Sequence, residues 1–243
     1  MPVEPATFEL RVPVPGEDAI EPGGGANVVL SFDDGPGRGR QAAKLLDVLA
    51  RERVRAILFP TSDWTRARPE WLARARGDGH LVCNHTETHR DLRRLGDAEL
   101  RREIAAGHGH DGGCALLRPP MRGYDERVAR VAAELGYRLF LWHVDTRDWE
   151  GATADEIEGR VLAGVRPGAV VLFHIQADAT LDALPGIVAR LRRVGYVPSY
   201  DPEDLGPGLF LLRDEPTESA AAAFALSSGL AHAPGPAWWA AGP

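Results

Sequence analysis

Short apolar runs alternate with amphipathic stretches along most of this chain, and this alternation limits the fold more than any other feature. The apolar runs predict β-strands at 28–32, 55–60, 80–84, 115–118, 137–142, 169–174 and 196–199. The stretches between them predict helices at 40–53, 69–76, 97–107, 125–135, 153–163 and 181–194. Strands that alternate with helices form a parallel sheet with right-handed crossovers. The number of units favours an α/β barrel, closed or nearly closed, over an open sheet.

Polar residues cluster directly after five of the predicted strands. The clusters are Asp33-Asp34, His85 to His89, Arg118-Pro119-Pro120, Asp145 to Trp149, and His174. The carboxyl ends of parallel strands share one face of a barrel, and active sites are built on that face. The clusters therefore predict a single site at the mouth of the barrel.

The first two clusters contain the components of a metal centre. Asp33, Asp34, His85 and His89 supply two adjacent carboxylates and two imidazoles. Alone, Asp-Asp-Gly-Pro is an ordinary turn, and histidines four residues apart also occur on surface helices. Together they can hold a divalent ion and leave one carboxylate as a base. His89 would face the same ion as His85 if that segment were helical. These residues favour a metal-assisted hydrolase.

Composition narrows the class of protein. The chain has 243 residues, of which 44% are hydrophobic, and these can bury one substantial core. Its net charge of -7 argues against nucleic-acid binding. No apolar stretch reaches the roughly 18 residues of a membrane span, and no secretory signal is visible after Met1, so a cytoplasmic location is expected. Cys83 and Cys114 lie in or beside predicted strands, and we expect them to be buried reduced thiols.

With these motifs in this order, the chain resembles the polysaccharide deacetylases that share the NodB homology domain, carbohydrate esterase family 4. The resemblance runs from about residue 27 to about residue 205. It rests on the motifs SFDDGP at 31–36, NHTETH at 84–89, RPP at 118–120, DTRDW at 145–149 and LFH at 172–174. It implies a deformed (β/α) barrel over 26–205, flanked by extensions at 1–25 and 206–243. The second extension contains an alanine-rich predicted helix at 218–226, and its Trp238 and Trp239 are expected to pack on the barrel.

The resemblance also implies a role for each polar cluster. Three residues would bind the metal ion: Asp34, His85 and His89. Zinc is the expected ion, although such ligands also accept other first-row divalent ions. Asp33 would be the general base, paired with Arg118. His174 would protonate the leaving amine, and Asp145 would hold its imidazole charged and oriented.

The chain departs from the family pattern where substrate would contact it. Met121 and Arg122 replace the usual aromatic residue and glycine, and Ile175, followed by Gln176, replaces the usual acidic residue. The backbone N–H of Met121 can still help to bind an oxyanion. The expected substrate contacts are Met121, Tyr124, Trp149 and Leu172.

The function expected from the resemblance is the removal of N-acetyl groups from oligo- or polysaccharides that contain N-acetylglucosamine. An alternative is a metal-dependent amidase acting on a small N-acylated metabolite, which the expected cytoplasmic location and the altered third motif favour. A non-catalytic sugar-binding barrel is less favoured, because every residue of the catalytic set is present.

Overall fold

The computed structural model describes residues 27–34, 40–108 and 114–200. The two expected extensions lie outside these residues, as do the helix and the tryptophan pair predicted in the second. The expected domain bounds at 26 and 205 lie outside them as well.

The strands of the described segments are all parallel. They are β1 (Asn27–Asp33), β2 (Ile57–Phe59), β3 (Leu81–Val82), β4 (Leu116–Leu117), β5 (Arg138–Leu139), β6 (Val144–Asp145), β7 (Val170–His174) and β8 (Val197–Pro198). One sheet has the order β3-β2-β1-β7-β6, with β8 paired to the start of β1, and β4 and β5 form a second sheet. The α/β prediction is confirmed, and the interruption between the two sheets makes the barrel a deformed one. β6 was not predicted, because Val144 and Asp145 form no apolar run of their own.

Helices connect the strands, and all but the second lie at nearly the positions that the sequence predicts. They are α1 (Arg40–Arg51), α2 (Ser62–Arg66), α3 (Pro69–Gly77), α4 (Asp97–Ala105), α5 (Glu126–Glu134), α6 (Ala154–Gly164) and α7 (Asp178–Arg193). The start of α6 shows why: the Thr153 side chain accepts from the Glu156 N–H, and the Glu156 carboxylate accepts from the Thr153 N–H. Among the helices described here, none combines the length and apolarity that a membrane crossing requires.

Alternation along β1 separates two apolar layers. Val28, Leu30 and Phe32 face the helices, and Phe32 stacks on Phe173 of β7 with 5.1 Å between ring centroids. Val29 belongs to the other layer, where Phe59 stacks on Phe140 at 5.7 Å. Because successive side chains of a strand point to opposite faces, Ser31 and Asp33 follow Val29 to the inner side. This places Asp33 inside the barrel at its carboxyl end.

The sheets meet between β3 and β4, where Cys83 and Cys114 are buried as predicted but are not reduced thiols. Cys83 and Cys114 are joined by a disulfide, with 5.0 Å between their Cα atoms. The one ladder contact recorded between the two sheets in the described residues is the bridge between Asn84 and Leu117. The disulfide therefore closes a seam that few backbone hydrogen bonds hold. Disulfides persist in oxidising compartments, so the cytoplasmic location stays a prediction, and it loses support here.

Candidate active site

The two adjacent carboxylates diverge because the backbone turns between them. Asp33 ends β1, in register with Phe59 on one side and His174 on the other. Asp34 has a left-handed backbone conformation, with φ of 69°, which aspartate tolerates better than most residues. Both side chains are buried. The turn gives them separate surroundings, and hence separate chemistry.

Asp34, His85 and His89 converge on one point. Asp34 Oδ1 lies 3.1 Å from His85 Nε2 and 2.9 Å from His89 Nε2. All three ligand atoms lie within 4.8 Å of one another. Ligands bound to a tetrahedral zinc ion at 2.0–2.1 Å are about 3.4 Å apart, so the spacing fits a small divalent ion. The structure brings together the three residues predicted as metal ligands.

The segment that carries the two histidines is not helical, although a helix was the condition under which His89 was expected to face the same ion as His85. Thr86 and His89 both have left-handed conformations, with φ of 66° and 61°. The Asn84 amide oxygen accepts from the Thr86 N–H at 2.8 Å. Glu103 of α4 is buried and accepts from both the N–H and the hydroxyl of Thr88. Side-chain hydrogen bonds thus fold this loop so that its two imidazoles meet.

The tautomer of His85 is set by its other ring nitrogen. Its Nδ1 lies 2.7 Å from the carbonyl oxygen of Arg118. A carbonyl only accepts, so Nδ1 carries the proton and a neutral His85 presents a lone pair at Nε2. That lone pair faces the Asp34 carboxylate at 3.1 Å. Two acceptors this close require a cation between them, either a proton or a metal ion, and the donor set therefore fits the expected metal.

The electrostatics of the ligand cluster agree with this reading. Burial opposes ionisation of Asp34, but the neighbouring imidazoles of His85 and His89 outweigh burial and hold its pKa well below the usual range. Burial also lowers the pKa of His89, but Asp34 outweighs that effect and raises it. The site is therefore anionic at Asp34 and attracts positive charge.

Arg118 is fully buried and binds the other carboxylate. Its Nη1 donates to Asp33 Oδ1 at 2.6 Å and to Ser31 Oγ at 2.9 Å. Its Nε donates to the Phe140 carbonyl at 3.2 Å, and the guanidinium lies 4.2 Å from the centre of the Phe59 ring. A buried guanidinium with its donors satisfied is rigid. Arg118 therefore fixes the orientation of Asp33.

The carboxylate that holds His174 is Asp148, and the expectation for Asp145 is wrong. His174 Nδ1 lies 2.7 Å from Asp148 Oδ1, and Asp148 Oδ2 accepts from the His174 N–H at 2.9 Å. Thr180 also donates to Asp148. Asp145 is exposed, and its carboxylate accepts from the backbone N–H of Arg147.

Backbone geometry explains the exchange. β6 ends at Asp145, and Arg147 is left-handed, with φ of 51°. The 3₁₀ turn at Asp148–Glu150 then brings Asp148 under His174, where it is buried. Burial lowers the pKa of His174, but Asp148, together with the charges of Asp33 and Asp34, outweighs burial and raises it. Both carboxylates belong to the same sequence motif, and nothing in the sequence distinguishes the one that contacts His174.

The residues expected to contact substrate lie in different environments. Met121 and Trp149 are 60% and 61% exposed, whereas Leu172 is buried within β7 and Tyr124 packs on the core between α4 and α5. Their contacts with substrate stay predictions.

The rim near Met121 also carries a cation. The Arg122 guanidinium lies 5.9 Å from the centre of the Trp142 ring, and that of Arg118 lies 5.6 Å from the same ring. Sequence reasoning did not single out Trp142. One aromatic side chain thus connects the rim to the buried arginine.

Comparison with known proteins identifies the family. Residues 21–140 match the family model for polysaccharide deacetylases. A chitooligosaccharide deacetylase from Bradyrhizobium sp. (strain ANU 289) is 35% identical over 193 residues, which cover 71% of this chain and 88% of the relative. A peptidoglycan-N-acetylglucosamine deacetylase from Bacillus cereus is 32% identical over 183 residues, covering 70% of this chain and 65% of the relative. The structure of a family 4 carbohydrate esterase from Streptomyces lividans, in complex with acetate, aligns with a TM-score of 0.67 at 31% identity, covering 72% of this chain and 92% of that one. The chain therefore belongs to the polysaccharide deacetylase family, carbohydrate esterase family 4, as its motifs predicted.

Proposed function

We propose that this chain is a metal-dependent hydrolase that removes N-acetyl groups from oligo- or polysaccharides containing N-acetylglucosamine. The relatives named as chitooligosaccharide and peptidoglycan deacetylases support this substrate class. The observation that carries the proposal is the division between the two carboxylates. Asp33 is held by Arg118, and Asp34 faces two imidazoles.

Asp34, His85 and His89 would hold the metal ion. A divalent ion bound there polarises the amide carbonyl and lowers the pKa of a water molecule. Two imidazoles and one carboxylate form a ligand set typical of catalytic zinc sites. We propose zinc as the native ion, in competition with other first-row ions.

Asp33 would take the proton of the attacking water. Its Oδ1 is occupied by Arg118, whereas its Oδ2 lies 3.9 Å from His85 Nε2 and so faces the ligand cluster. The arginine holds one oxygen and leaves the other to accept a proton beside the reacting carbonyl. Asp33 is therefore held beside the ligand cluster without belonging to it.

His174 would give a proton to the leaving amine. It pairs with Asp33 across β1 and β7, so acid and base arise from neighbouring strands. With Nδ1 bound to Asp148, the proton for transfer is the one on Nε2. The pKa of His174 is raised by Asp148, which favours retention of that proton.

The alternative substrate, a small N-acylated metabolite, loses one of its two arguments. The expected cytoplasmic location favoured it, but the Cys83–Cys114 disulfide is typical of proteins from oxidising compartments. The altered third motif still favours it. A sugar-binding barrel without activity is disfavoured by the complete set of base, acid and ligands in one site.

The proposal is tested by measuring acetate release from N-acetylglucosamine oligomers and from small N-acetyl amides, with and without chelator and added zinc. Chelator-sensitive release that rises with oligomer length supports the proposal. Release from small amides alone would instead support an amidase that acts on a small N-acylated metabolite. Release from neither kind of substrate would refute hydrolysis.

The same assay tests the base. Asp33→Asn should lower turnover by roughly 10²–10⁴-fold and retain zinc. Asp182→Asn is the matched control, since Asp182 is exposed on α7. Wild-type turnover in Asp33→Asn would refute the assignment of the base.

A further inference from the structure

Gln176 contacts the ligand cluster, although no role for it follows from the motifs. Its Nε2 donates to Asp34 Oδ2 at 3.0 Å. Since a carboxylate oxygen only accepts, the nitrogen of this amide must face Asp34, and the orientation of the amide is determined. The two oxygens of Asp34 thus have different partners, with Oδ1 toward the histidines and Oδ2 toward Gln176.

The backbone holds Gln176 at this distance. Ile175, the residue before it, is buried, and its N–H donates to the carbonyl oxygen of Asp33 at 3.0 Å. The chain leaving β7 is therefore fixed to the end of β1 directly before the side chain of Gln176 begins. Ile175 replaces the acidic residue expected here, and its side chain packs in the apolar layer that faces the helices.

Packing alone does not account for this amide. Gln176 Oε1 is buried and makes no hydrogen bond to any residue that the structure describes. A buried acceptor without a partner costs about 1–3 kcal/mol. An apolar side chain would avoid that cost. The Gln176 Nε2 that donates to Asp34 therefore indicates that the amide acts on Asp34.

The number of oxygens that a carboxylate offers to a metal ion decides how many positions remain open. Carboxylates bind metal ions through one oxygen or through both. A catalytic site needs open positions beyond its three protein ligands for water and for the substrate oxygen. If Asp34 turned both oxygens toward the ion, it would fill one of those positions.

We propose that Gln176 is a positioning residue that holds Asp34 as a one-oxygen ligand and so keeps a position open beside the three protein ligands. The inference rests on the proposed metal-dependent function. It concerns the ligand geometry and not the identity of the substrate.

The test is a zinc titration against a competing chelator dye, with no substrate present. Partners of metal ligands are worth 10–100-fold in metal affinity, so Gln176→Leu should bind zinc 10–100-fold more weakly than the wild type. Gln176→Asn keeps the amide on a shorter chain and should fall between the wild type and Gln176→Leu.

Gln41→Leu is the matched control. Gln41 also has a buried amide oxygen without a partner among the described residues, and it makes no recorded hydrogen bond to a metal ligand. Its zinc affinity should equal that of the wild type. Thermal unfolding of each metal-free variant separates a lost ligand orientation from a damaged fold.

A second readout follows coordination directly. With cobalt in place of zinc, visible absorption weakens as the coordination number rises. Gln176→Leu should show weaker absorption per bound cobalt, because Asp34 can then bind through both oxygens. Wild-type zinc affinity and an unchanged cobalt spectrum in this variant would overturn the inference and leave the proposed function intact. A wild-type protein that binds no zinc and releases no acetate would refute the proposed function itself.

Discussion

Breaking the Cys83–Cys114 disulfide should destabilise the barrel by an amount that its loop length determines. The two cysteines are 31 residues apart. For a loop of that length, the chain-entropy relation gives about 12 cal/mol/K of entropy removed from the unfolded chain, or about 3.7 kcal/mol at 25 °C. One kcal/mol shifts Tm by roughly 2–4 °C in a domain of this size. The expected loss in Tm is therefore about 7–15 °C.

Thermal unfolding followed by circular dichroism, with chelator present, measures this loss. The Cys83→Ala/Cys114→Ala double variant removes the cross-link together with two buried sulfur atoms, whereas reductant added to the wild type removes the cross-link alone. Both should unfold earlier, the double variant somewhat more so. A wild-type Tm that changes by less than 2 °C when reductant is added would refute the argument from loop length. Thiol titration of the denatured protein should find no free thiol after production in an oxidising compartment and two after production in a reducing one.

Three further predictions concern charge. Asp148→Asn removes the anion that raises the pKa of His174. Because the catalytic acid must be protonated, the fall in kcat/KM at alkaline pH should move to lower pH in a pH–rate profile. A profile whose alkaline side does not move would contradict the pairing of Asp148 with His174. His80 is buried with a pKa lowered by burial to about 4, and its Nδ1 accepts from the Ala56 N–H at 3.1 Å. The unfolded chain therefore binds more protons between pH 6.5 and 4, and the wild type should lose up to about 3 kcal/mol of stability as the pH falls through that range. Urea unfolding at both pH values should show that His80→Asn avoids most of this loss. Arg122 is exposed and has no ion-pair partner within the described segments. Arg122→Gly should therefore raise KM several-fold for acetylated oligomers that bear a carboxylate and leave KM for neutral oligomers unchanged. Equal effects on both kinds of oligomer, or the same effect from the control Arg130→Gln on α5, would refute a role for this charge.

Periodicity predicted the long elements well, and local turns limited the rest. The apolar run of β1 and the capping residues of α6 each carry a signal within a few residues, and both elements lie where expected. The five residues of α2 are too short to show a period, and β6 has no apolar run of its own.

The parts of the site that escaped prediction depend on backbone conformation or on distant pairing. Asp145 and Asp148 are chemically equivalent in the sequence, and the left-handed Arg147 decides which one meets His174. His89 reaches its ligand position through a left-handed loop, where the sequence suggested a helix turn. Cys83 and Cys114 meet only because the two sheets meet, and nothing within either strand indicates that contact.

Arg118 serves the site in two ways, through its side chain and through its backbone, and a substitution removes only the first. The guanidinium holds Asp33, whereas the backbone carbonyl of the same residue fixes the His85 tautomer. Any amino acid at this position still supplies the carbonyl, but only arginine supplies the guanidinium. We therefore expect a lineage that drifts here, while its barrel still folds, to give up hydrolysis first and metal binding last. Its descendants would be ion-loaded barrels without turnover, available for selection as binding proteins.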